Sequence, residues 1–381
     1  MMRALVAMSA GFLNLAAQEL PAGRVIDRVA SQRSEQQSYA LYLPSTYTPA
    51  RAWPILYCLD PGARGRVPVE RFAEAAEKFG FIVAGSNNSR NGPLGPVQEA
   101  IQALVEDTTA RFSIDPKRVF AAGLSGGARV ALAWAENGKI AGVVACSAGF
   151  GKPELPRDIS FTVFAAAGFD DFNYHEVYAM SRDLAKRGVS NRFAAFEGGH
   201  EWLPAAVAGE ALAFLSGQLP AAAAKDSKEE RKQADRFVRV SKELASAEGL
   251  DKRSQFEQLR KDAGKTDDSA DRRLARQVLG NAFVGAMEQG RGLMEARRYA
   301  DAAGVWETAV LVRPENGNVW YSLAVAQAGA GNKKRALEAL EHAVANGFQD
   351  RERVEREPLL EGVRRDGRYG VLWGGRGNPA R

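Results

Sequence analysis

Residues 118–131 read RVFAAGLSGGARVA, an apolar run, a glycine-rich turn around Ser125 and the start of a second apolar pattern. The pentapeptide from Gly123 to Gly127 matches G-x-S-x-G. It predicts a sharp turn from a strand into a helix, because small residues on both sides of the serine let the backbone bend and hold Oγ clear of the sheet. The N-terminus of that helix would direct backbone N–H groups at developing negative charge. A glycine-rich connection without chemistry is the alternative.

Short apolar or alternating runs on both sides of this turn predict eight strands. The first two runs alternate and suit an antiparallel hairpin, whereas the later ones are more uniformly apolar, as in strands buried on both faces. The runs are 24–29, 38–43, 55–59, 81–86, 119–123, 140–146, 161–167 and 192–196. Helical patterns lie between the later strands, at 67–78, 97–110, 127–136, 176–187 and 203–215. This alternation predicts an α/β fold with a mostly parallel sheet and helices on both of its faces.

The sequence changes character near residue 220, where strand signals end and charged helical patterns begin. Further on, a pattern repeats after 34 residues. Ala302, Trp306 and Ala309 in the first copy correspond to Ala336, Leu340 and Ala343 in the second. The match covers roughly 283–350 and resembles a pair of tetratricopeptide repeats. Two copies rarely bury a continuous core alone, so we expect the helices of 226–282 and the tail to Trp373 to cap them.

The N-terminus resembles a secretory signal peptide, with Arg3 ahead of an apolar stretch at 4–17, and a buried helix is the alternative. We therefore predict a periplasmic or secreted protein, with a cytoplasmic one as the alternative. No other apolar run approaches the length of a membrane span. The predicted organisation is a signal peptide at 1–17, an α/β domain at 18–220, charged linker or capping helices at 221–282, and repeats with a C-terminal cap at 283–381.

Composition excludes several classes of function. The 381 residues include 51 Lys and Arg and 46 Asp and Glu. Residues 221–381 contain 30 of the basic residues and 25 of the acidic ones. So small and dispersed a basic excess argues against nucleic acid as a partner. Three scattered histidines and two distant cysteines give no metal-ligand spacing, and no phosphate-binding G-x-x-x-x-G-K-S/T is present. We predict neither a metal nor a cofactor.

A serine becomes a nucleophile when a base accepts its proton, and the chain offers His175, His200 and His342. His200 is the best placed, because it lies between the last predicted strand and the last predicted helix of the α/β domain. His175 is the weaker alternative. A carboxylate that orients the base should lie on a loop between the serine and the histidine, and Asp170 and Asp171 both occupy such a loop.

Three elements, GLSGGAR at 123–129, GFDDFNY at 168–174 and GGHEW at 198–202, resemble those of bacterial esterases of the polyhydroxyalkanoate-depolymerase and feruloyl-esterase type. The resemblance implies the α/β-hydrolase fold and a serine esterase that works through an acyl-enzyme. Ser125 would be the nucleophile and His200 the general base. The G-x-x-D turn of related esterases favours Asp171 over Asp170 as the third member of the triad.

The same resemblance implies an oxyanion hole formed by the N–H of Gly126 and one N–H from the loop after the third strand. That loop reads LDPGARG at 59–65, and Pro61 has no N–H, which leaves Gly62 or Ala63 as the donor. The usual strand order would also place one strand between Cys58 and Cys146, too far apart for a disulfide.

Candidates for substrate contact are Asn88 and Arg90 in the polar loop after the fourth strand, and Trp202 beside His200. A solvated loop and a core aromatic are the alternatives. We therefore predict a carboxylic ester hydrolase that acts on a small-molecule or polymeric ester. A serine peptidase and a non-catalytic binding or scaffold protein are the alternatives. The repeats at 283–350 suggest a protein partner or self-association, or else they only shape the entrance to the site.

Overall fold

The computed structural model describes residues 20–32, 34–152, 154–225 and 227–373. The signal peptide predicted at 1–17 lies outside these residues. The strands are β1 (Val25–Ala30), β2 (Ser38–Tyr42), β3 (Trp53–Leu59), β4 (Ile82–Ser86), β5 (Ile114–Leu124), β6 (Gly142–Cys146), β7 (Thr162–Gly168) and β8 (Asn191–Phe196). The helices between and directly after them are α1 (Arg66–Phe79), α2 (Leu94–Arg111), α3 (Gly126–Asn137), α4 (Tyr174–Lys186) and α5 (Ala205–Leu215).

The strands form one sheet in the order β1-β2-β4-β3-β5-β6-β7-β8. β2 pairs antiparallel with both β1 and β4, and every other neighbouring pair is parallel. This is the topology of the α/β-hydrolase fold, so the predicted fold class and the predicted N-terminal hairpin are confirmed. No stretch of described helix is long and apolar enough to cross a membrane.

Helices cover both faces of the sheet, which explains the uniformly apolar sequence of its central strands. Phe72 of α1 and Leu212 of α5 pack on one face, where they share a core with Phe164 of β7. Leu132 of α3 and Val177 of α4 pack on the other face. Residues of β3 and β6 are buried throughout because each strand contacts both layers.

The parallel strands end at the same edge of the sheet. The loops that follow β3, β5, β7 and β8 carry all of the predicted triad and oxyanion-hole residues. In open α/β sheets this carboxyl edge is where ligands bind. The topology therefore gathers the predicted site at one edge.

The second half of the described chain is helical. Its helices are α6 (Lys228–Ser246), α7 (Gly249–Ala263), α8 (Ala270–Glu295), α9 (Tyr299–Val312), α10 (Gly317–Gly329), α11 (Lys333–Ala345), α12 (Arg351–Arg356), α13 (Glu361–Arg364) and α14 (Tyr369–Leu372). Close helix contacts explain the small residues of the repeat pattern, since a methyl group at Gly290 of α8 would lie 2.8 Å from the ring of Trp306 in α9. Leu360 and Tyr369, near the C-terminus, belong to the same hydrophobic core.

The division predicted between residues 282 and 283 falls inside α8, which continues through this point. The predicted linker and repeat segments therefore share one helix. Two glycines lie within this helix. Gly280 packs against Phe172 of the α/β half, and Gly285 has open space around it. The two halves of the chain are in direct contact through α8.

Candidate active site

Ser125 lies in the predicted turn between β5 and α3. Its backbone has φ 55° and ψ −122°, a conformation that residues with a side chain rarely adopt. The Ser125 N–H donates to the Cys146 carbonyl at 2.9 Å, which ties the turn to the end of β6. Glycines flank the serine because a methyl group at Gly123 would overlap the backbone of Gly127. The local sequence therefore allows a tight turn with a strained serine at its apex.

His200, which is half-buried, forms a hydrogen bond with the buried Asp171. His200 Nδ1 lies 2.9 Å from Asp171 Oδ1, and the Asp171 side chain is fully buried. The Phe172 ring stacks on the imidazole with a centroid separation of 4.1 Å. A proton on Nδ1 donates to the carboxylate in this arrangement, which leaves Nε2 free to accept one.

Asp170, the other candidate carboxylate, has different partners. Its Oδ2 accepts from Arg276 at 2.6 Å, and Arg272 lies 3.8 Å from its Oδ1. Both arginines belong to α8. The structure thus brings Asp171 to His200 and assigns Asp170 to the contact between the two halves of the chain.

The serine and the histidine lie close to a common point at the end of β6. Ser125 N–H binds the Cys146 carbonyl, and the carbonyl of Glu201, next to His200, lies 3.4 Å from Cys146 Sγ. Ser125 lines a cavity of about 510 Å³ and His200 lines a neighbouring one of about 690 Å³. Phe172 borders both cavities. Within the described residues no hydrogen bond joins Ser125 Oγ to His200.

The loop after β3 does not present the predicted oxyanion donors. Gly62 N–H donates to Asp60 Oδ1 at 2.8 Å, and Ala63 N–H donates to the Asp60 carbonyl at 3.1 Å. Both backbone donors predicted for the oxyanion hole are thus engaged within the loop in this arrangement. Gly126, in contrast, lies in the first turn of α3, where backbone N–H groups have no acceptor within the helix.

The Asp60 carboxylate holds the loop after β3 in place. Its side chain is fully buried and accepts from Arg64 Nε at 2.9 Å and from Trp202 Nε1 at 2.8 Å. Burial alone would raise the pKa of Asp60, but hydrogen bonds from Arg64, Trp202 and the Gly62 N–H lower it below its ordinary value. Asp60 is therefore an ionised structural anchor.

Two of the three predicted substrate-contact residues lie elsewhere. Trp202 is buried in the core beside Phe72, because its indole N–H finds a partner in Asp60. Asn88 Nδ2 donates to the Gln36 carbonyl at 3.0 Å, and its Oδ1 accepts from Ser38 N–H at 2.9 Å. Neither residue is among those that line the cavity with Ser125, and both side chains hold the structure together. Arg90 does line the cavity that contains Ser125.

One wall of this cavity comes from α8, which the sequence analysis missed. Asn281, Val284 and Glu288 of α8 line the cavity together with Ser125. Gln277, one turn earlier, donates from Nε2 to the Phe169 carbonyl at 2.8 Å and lies 3.1 Å from His175 Nε2. His175 thus belongs to the contact with α8. The helical half completes the cavity, and only glycines inside a helical pattern hinted at so close a contact.

The cysteines offer no second nucleophile. Cys58 and Cys146 are free and buried, and β5 lies between their strands as expected. Burial raises the pKa of the Cys146 thiol to about 12, so it stays protonated at neutral pH. Across the described ranges, no group of three or more His, Cys, Asp or Glu side chains is arranged to hold a metal ion.

Comparisons with known proteins give matches for both halves of the chain. Residues 287–350 match the family model described as Tetratricopeptide repeat, which confirms the predicted repeats. No curated protein matches the chain in sequence. Among solved structures, a ferulic acid esterase is similar at 18% identity, with a TM-score of 0.44, over 51% of this chain and 98% of its own.

Two Staphylococcus aureus structures are similar to the same extent. One is the fluorophosphonate-binding serine hydrolase F, at 14% identity and a TM-score of 0.40, over 51% of this chain and 97% of its own. The other is an S-formylglutathione hydrolase, at 16% identity and a TM-score of 0.40, over 51% of this chain and 98% of its own. Each similarity covers about half of this chain.

Proposed function

We propose that this protein is a serine esterase with Ser125 as nucleophile, His200 as general base and acid, and Asp171 as the residue that orients His200. One observation carries the proposal. A buried Asp171 holds His200 Nδ1 at 2.9 Å, at the same sheet edge where Ser125 sits in a strained strand-to-helix turn. A turn that only linked two elements would have no need of either feature.

The reaction follows from these positions. Ser125 Oγ attacks the ester carbonyl while His200 Nε2 accepts the serine proton, and Asp171 stabilises the resulting imidazolium. The negative charge that develops on the carbonyl oxygen is stabilised by the Gly126 N–H at the N-terminus of α3. The intermediate then collapses, the alcohol leaves with the proton from His200, and an acyl-Ser125 remains. Water, activated by the same histidine, hydrolyses the acyl-enzyme and restores Ser125.

Proton transfer requires His200 Nε2 and Ser125 Oγ to come within about 2.6–3.2 Å of each other. The two residues are held near the same strand end, since the Glu201 carbonyl next to His200 lies 3.4 Å from Cys146 Sγ and the Ser125 N–H donates to the Cys146 carbonyl, and the mechanism requires the loop after β8 to bring Nε2 to Oγ from there. Catalytic hydrogen bonds commonly shorten only when substrate is in place.

The cavity supports an ester with an apolar acyl or aryl group. Leu94, Val97, Val130 and Val284 give it apolar walls beside Ser125. Val284 belongs to α8, which favours the interpretation that the repeat-containing half shapes the entrance to the cavity. Binding of a protein partner at 283–350 and a secreted or periplasmic location stay predictions.

The test is hydrolysis of p-nitrophenyl acetate and butyrate by the purified full chain. Ser125→Ala should lower kcat by roughly 10³- to 10⁶-fold, because no other described side chain can replace the nucleophile. Ser89→Ala is the matched control, since Ser89 lines the same cavity and should leave kcat nearly unchanged. Equal rates for wild type and Ser125→Ala would eliminate the proposed nucleophile.

A further inference from the structure

The proposed site needs a second hydrogen-bond donor for the oxyanion, and the loop after β3 does not supply it. The N–H groups of Gly62 and Ala63 both donate to Asp60. Pro61 has no N–H, and the Arg64 N–H lies 3.3 Å from Asp60 Oδ1. Freeing the Gly62 N–H would break a charge-assisted contact with the buried Asp60 carboxylate, and freeing the Ala63 N–H would break the turn that it closes with the Asp60 carbonyl.

The segment after β4 lies against this loop. Asn91 N–H donates to the Pro61 carbonyl at 2.9 Å, and Arg90 forms an isolated antiparallel bridge with Gly62. The pairing places Asn91 beside the loop where the fold would otherwise present its second N–H. Asn91 and Ser125 line the same cavity.

The side chain of Asn91 is directed at the turn that carries the nucleophile. A methyl group on the Cα of Gly126 would overlap Asn91 Oδ1 and would lie 3.1 Å from Asn91 Nδ2. The amide group is therefore in contact with Gly126, whose N–H is the first oxyanion donor of the proposed mechanism. In the part of the chain that the structure describes, the Asn91 amide has no hydrogen-bond partner.

We propose that Asn91 is the second oxyanion donor: a half-rotation of its amide group places Nδ2, in place of Oδ1, beside Gly126, so that a side-chain amide replaces a backbone N–H of the β3 loop. This inference rests on the proposed function. The donor takes no part in proton transfer. Its hydrogen bond to the carbonyl oxygen strengthens as that oxygen gains negative charge and weakens again when the acyl-enzyme forms. Its contribution is larger in the transition state than in the ground state, so its loss should lower kcat and leave KM nearly unchanged.

The experiment compares Asn91→Ala and Asn91→Asp with wild type on p-nitrophenyl butyrate. We expect kcat to fall about 10²- to 10³-fold in Asn91→Ala, with KM within about threefold of wild type. Asn91→Asp should be at least as slow, because a carboxylate repels the oxyanion. Asn137→Ala is the matched control, since Asn137 is an exposed residue at the C-terminal end of α3, outside the cavity, and should change kcat by less than about threefold.

A second measurement separates a donor role from a structural one. A boronic acid that forms a tetrahedral adduct should bind Asn91→Ala more weakly by about the same factor as the loss in kcat/KM, while Tm stays unchanged. A kcat for Asn91→Ala within threefold of wild type, or a change confined to KM, would overturn the proposal. If Ser125→Ala is inactive in the same assay, that outcome removes the role of Asn91 and leaves the proposed esterase in place.

Discussion

Ser125 shows how a single residue can identify a site. Its positive φ costs of the order of 1–3 kcal/mol, and such strain persists only where the surroundings enforce it. Here the surroundings do enforce it. The Ser125 N–H donates to the Cys146 carbonyl, and a side chain at Gly123 would overlap the Gly127 backbone. The strain holds the hydroxyl at the edge of the sheet, where His200 and Asp171 also lie.

Two adjacent aspartates provide a direct residue-level test. Asp171→Asn should lower kcat by about 10⁴-fold, because an amide no longer holds His200 in the tautomer that accepts a proton at Nε2. Asp170→Asn is the matched control, since Asp170 binds Arg276 and not the histidine. The measurement is kcat on p-nitrophenyl butyrate for both variants. Similar losses in the two variants would contradict the assignment.

At this scale local motifs and chain order were sufficient to predict the turn that carries Ser125 and the loop that carries His200, and the resemblance to esterases chose Asp171 over Asp170; the catalytic roles of the three residues stay predictions. The sequence was not sufficient for Trp202, Asn88, Gly62 and Ala63. Their roles depend on hydrogen bonds to Asp60, Gln36 and Ser38, and which buried polar group finds which partner is a property of the folded chain.

Among the elements, α8 has two functions at once. Its second half packs on α9 in the repeat stack, and its middle turns form a wall of the cavity that holds Ser125. The contact is close at Gly280, where a methyl group would lie 3.0 Å from the ring of Phe172. Phe172 in turn stacks on His200. A change at Gly280 should therefore reach the general base.

Gly280→Val tests this connection. The larger side chain should displace Phe172 and shift the His200 ring, which lowers kcat by about tenfold or more, since misplacement of about 1 Å is enough for such losses. Gly285→Ala is the control on the same helix, because nothing lies within 4 Å of the added methyl. It should keep wild-type kcat and stabilise the chain by about 0.5–1 kcal/mol. Unchanged kcat in Gly280→Val would show that α8 does not act on the base.

The strands and helices of the α/β half were predictable to within about three residues, except that β5 begins five residues earlier than expected, because periodicity and glycine-rich turns are local signals. The extent of α8 was not predictable. The predicted repeat match begins within this helix, at about residue 283, and nothing in the pattern shows that the helix starts at Ala270 and crosses the site. A contact between halves that are 100 residues apart leaves no periodic trace.

For the whole molecule, His175 links stability to pH. It lies in the first turn of α4 and faces α8, with Gln277 at 3.1 Å and the Phe237 ring at 5.4 Å, and its Nδ1 is buried without a hydrogen-bond partner in the described part of the chain. Burial lowers the pKa of His175 below its ordinary 6.5, against a smaller opposing effect of the Gln277 hydrogen bond. The folded protein therefore favours the neutral imidazole.

The sign of the effect follows from proton binding. Between the lowered folded-state pKa and 6.5 the unfolded chain binds more protons at this residue, so stability is complete above pH 6.5 and decreases as the pH falls. The measurement is Tm at pH 7.5 and 5.5 for wild type and for His175→Gln. The glutamine variant should lose less Tm on acidification, and this difference isolates His175 from Glu230 and other titrating groups nearby. An equal loss in both proteins would contradict the prediction.

The most direct test of the proposed activity is covalent labelling of the full chain with a fluorophosphonate, read by intact mass and peptide mapping. Such a probe reacts with a serine that a neighbouring base activates. We expect one adduct, on Ser125, formed by wild type, slowed strongly in His200→Ala and absent in Ser125→Ala. A folded wild-type protein that takes up no label, or that is labelled only at another serine, would contradict the assignment of Ser125 as the nucleophile.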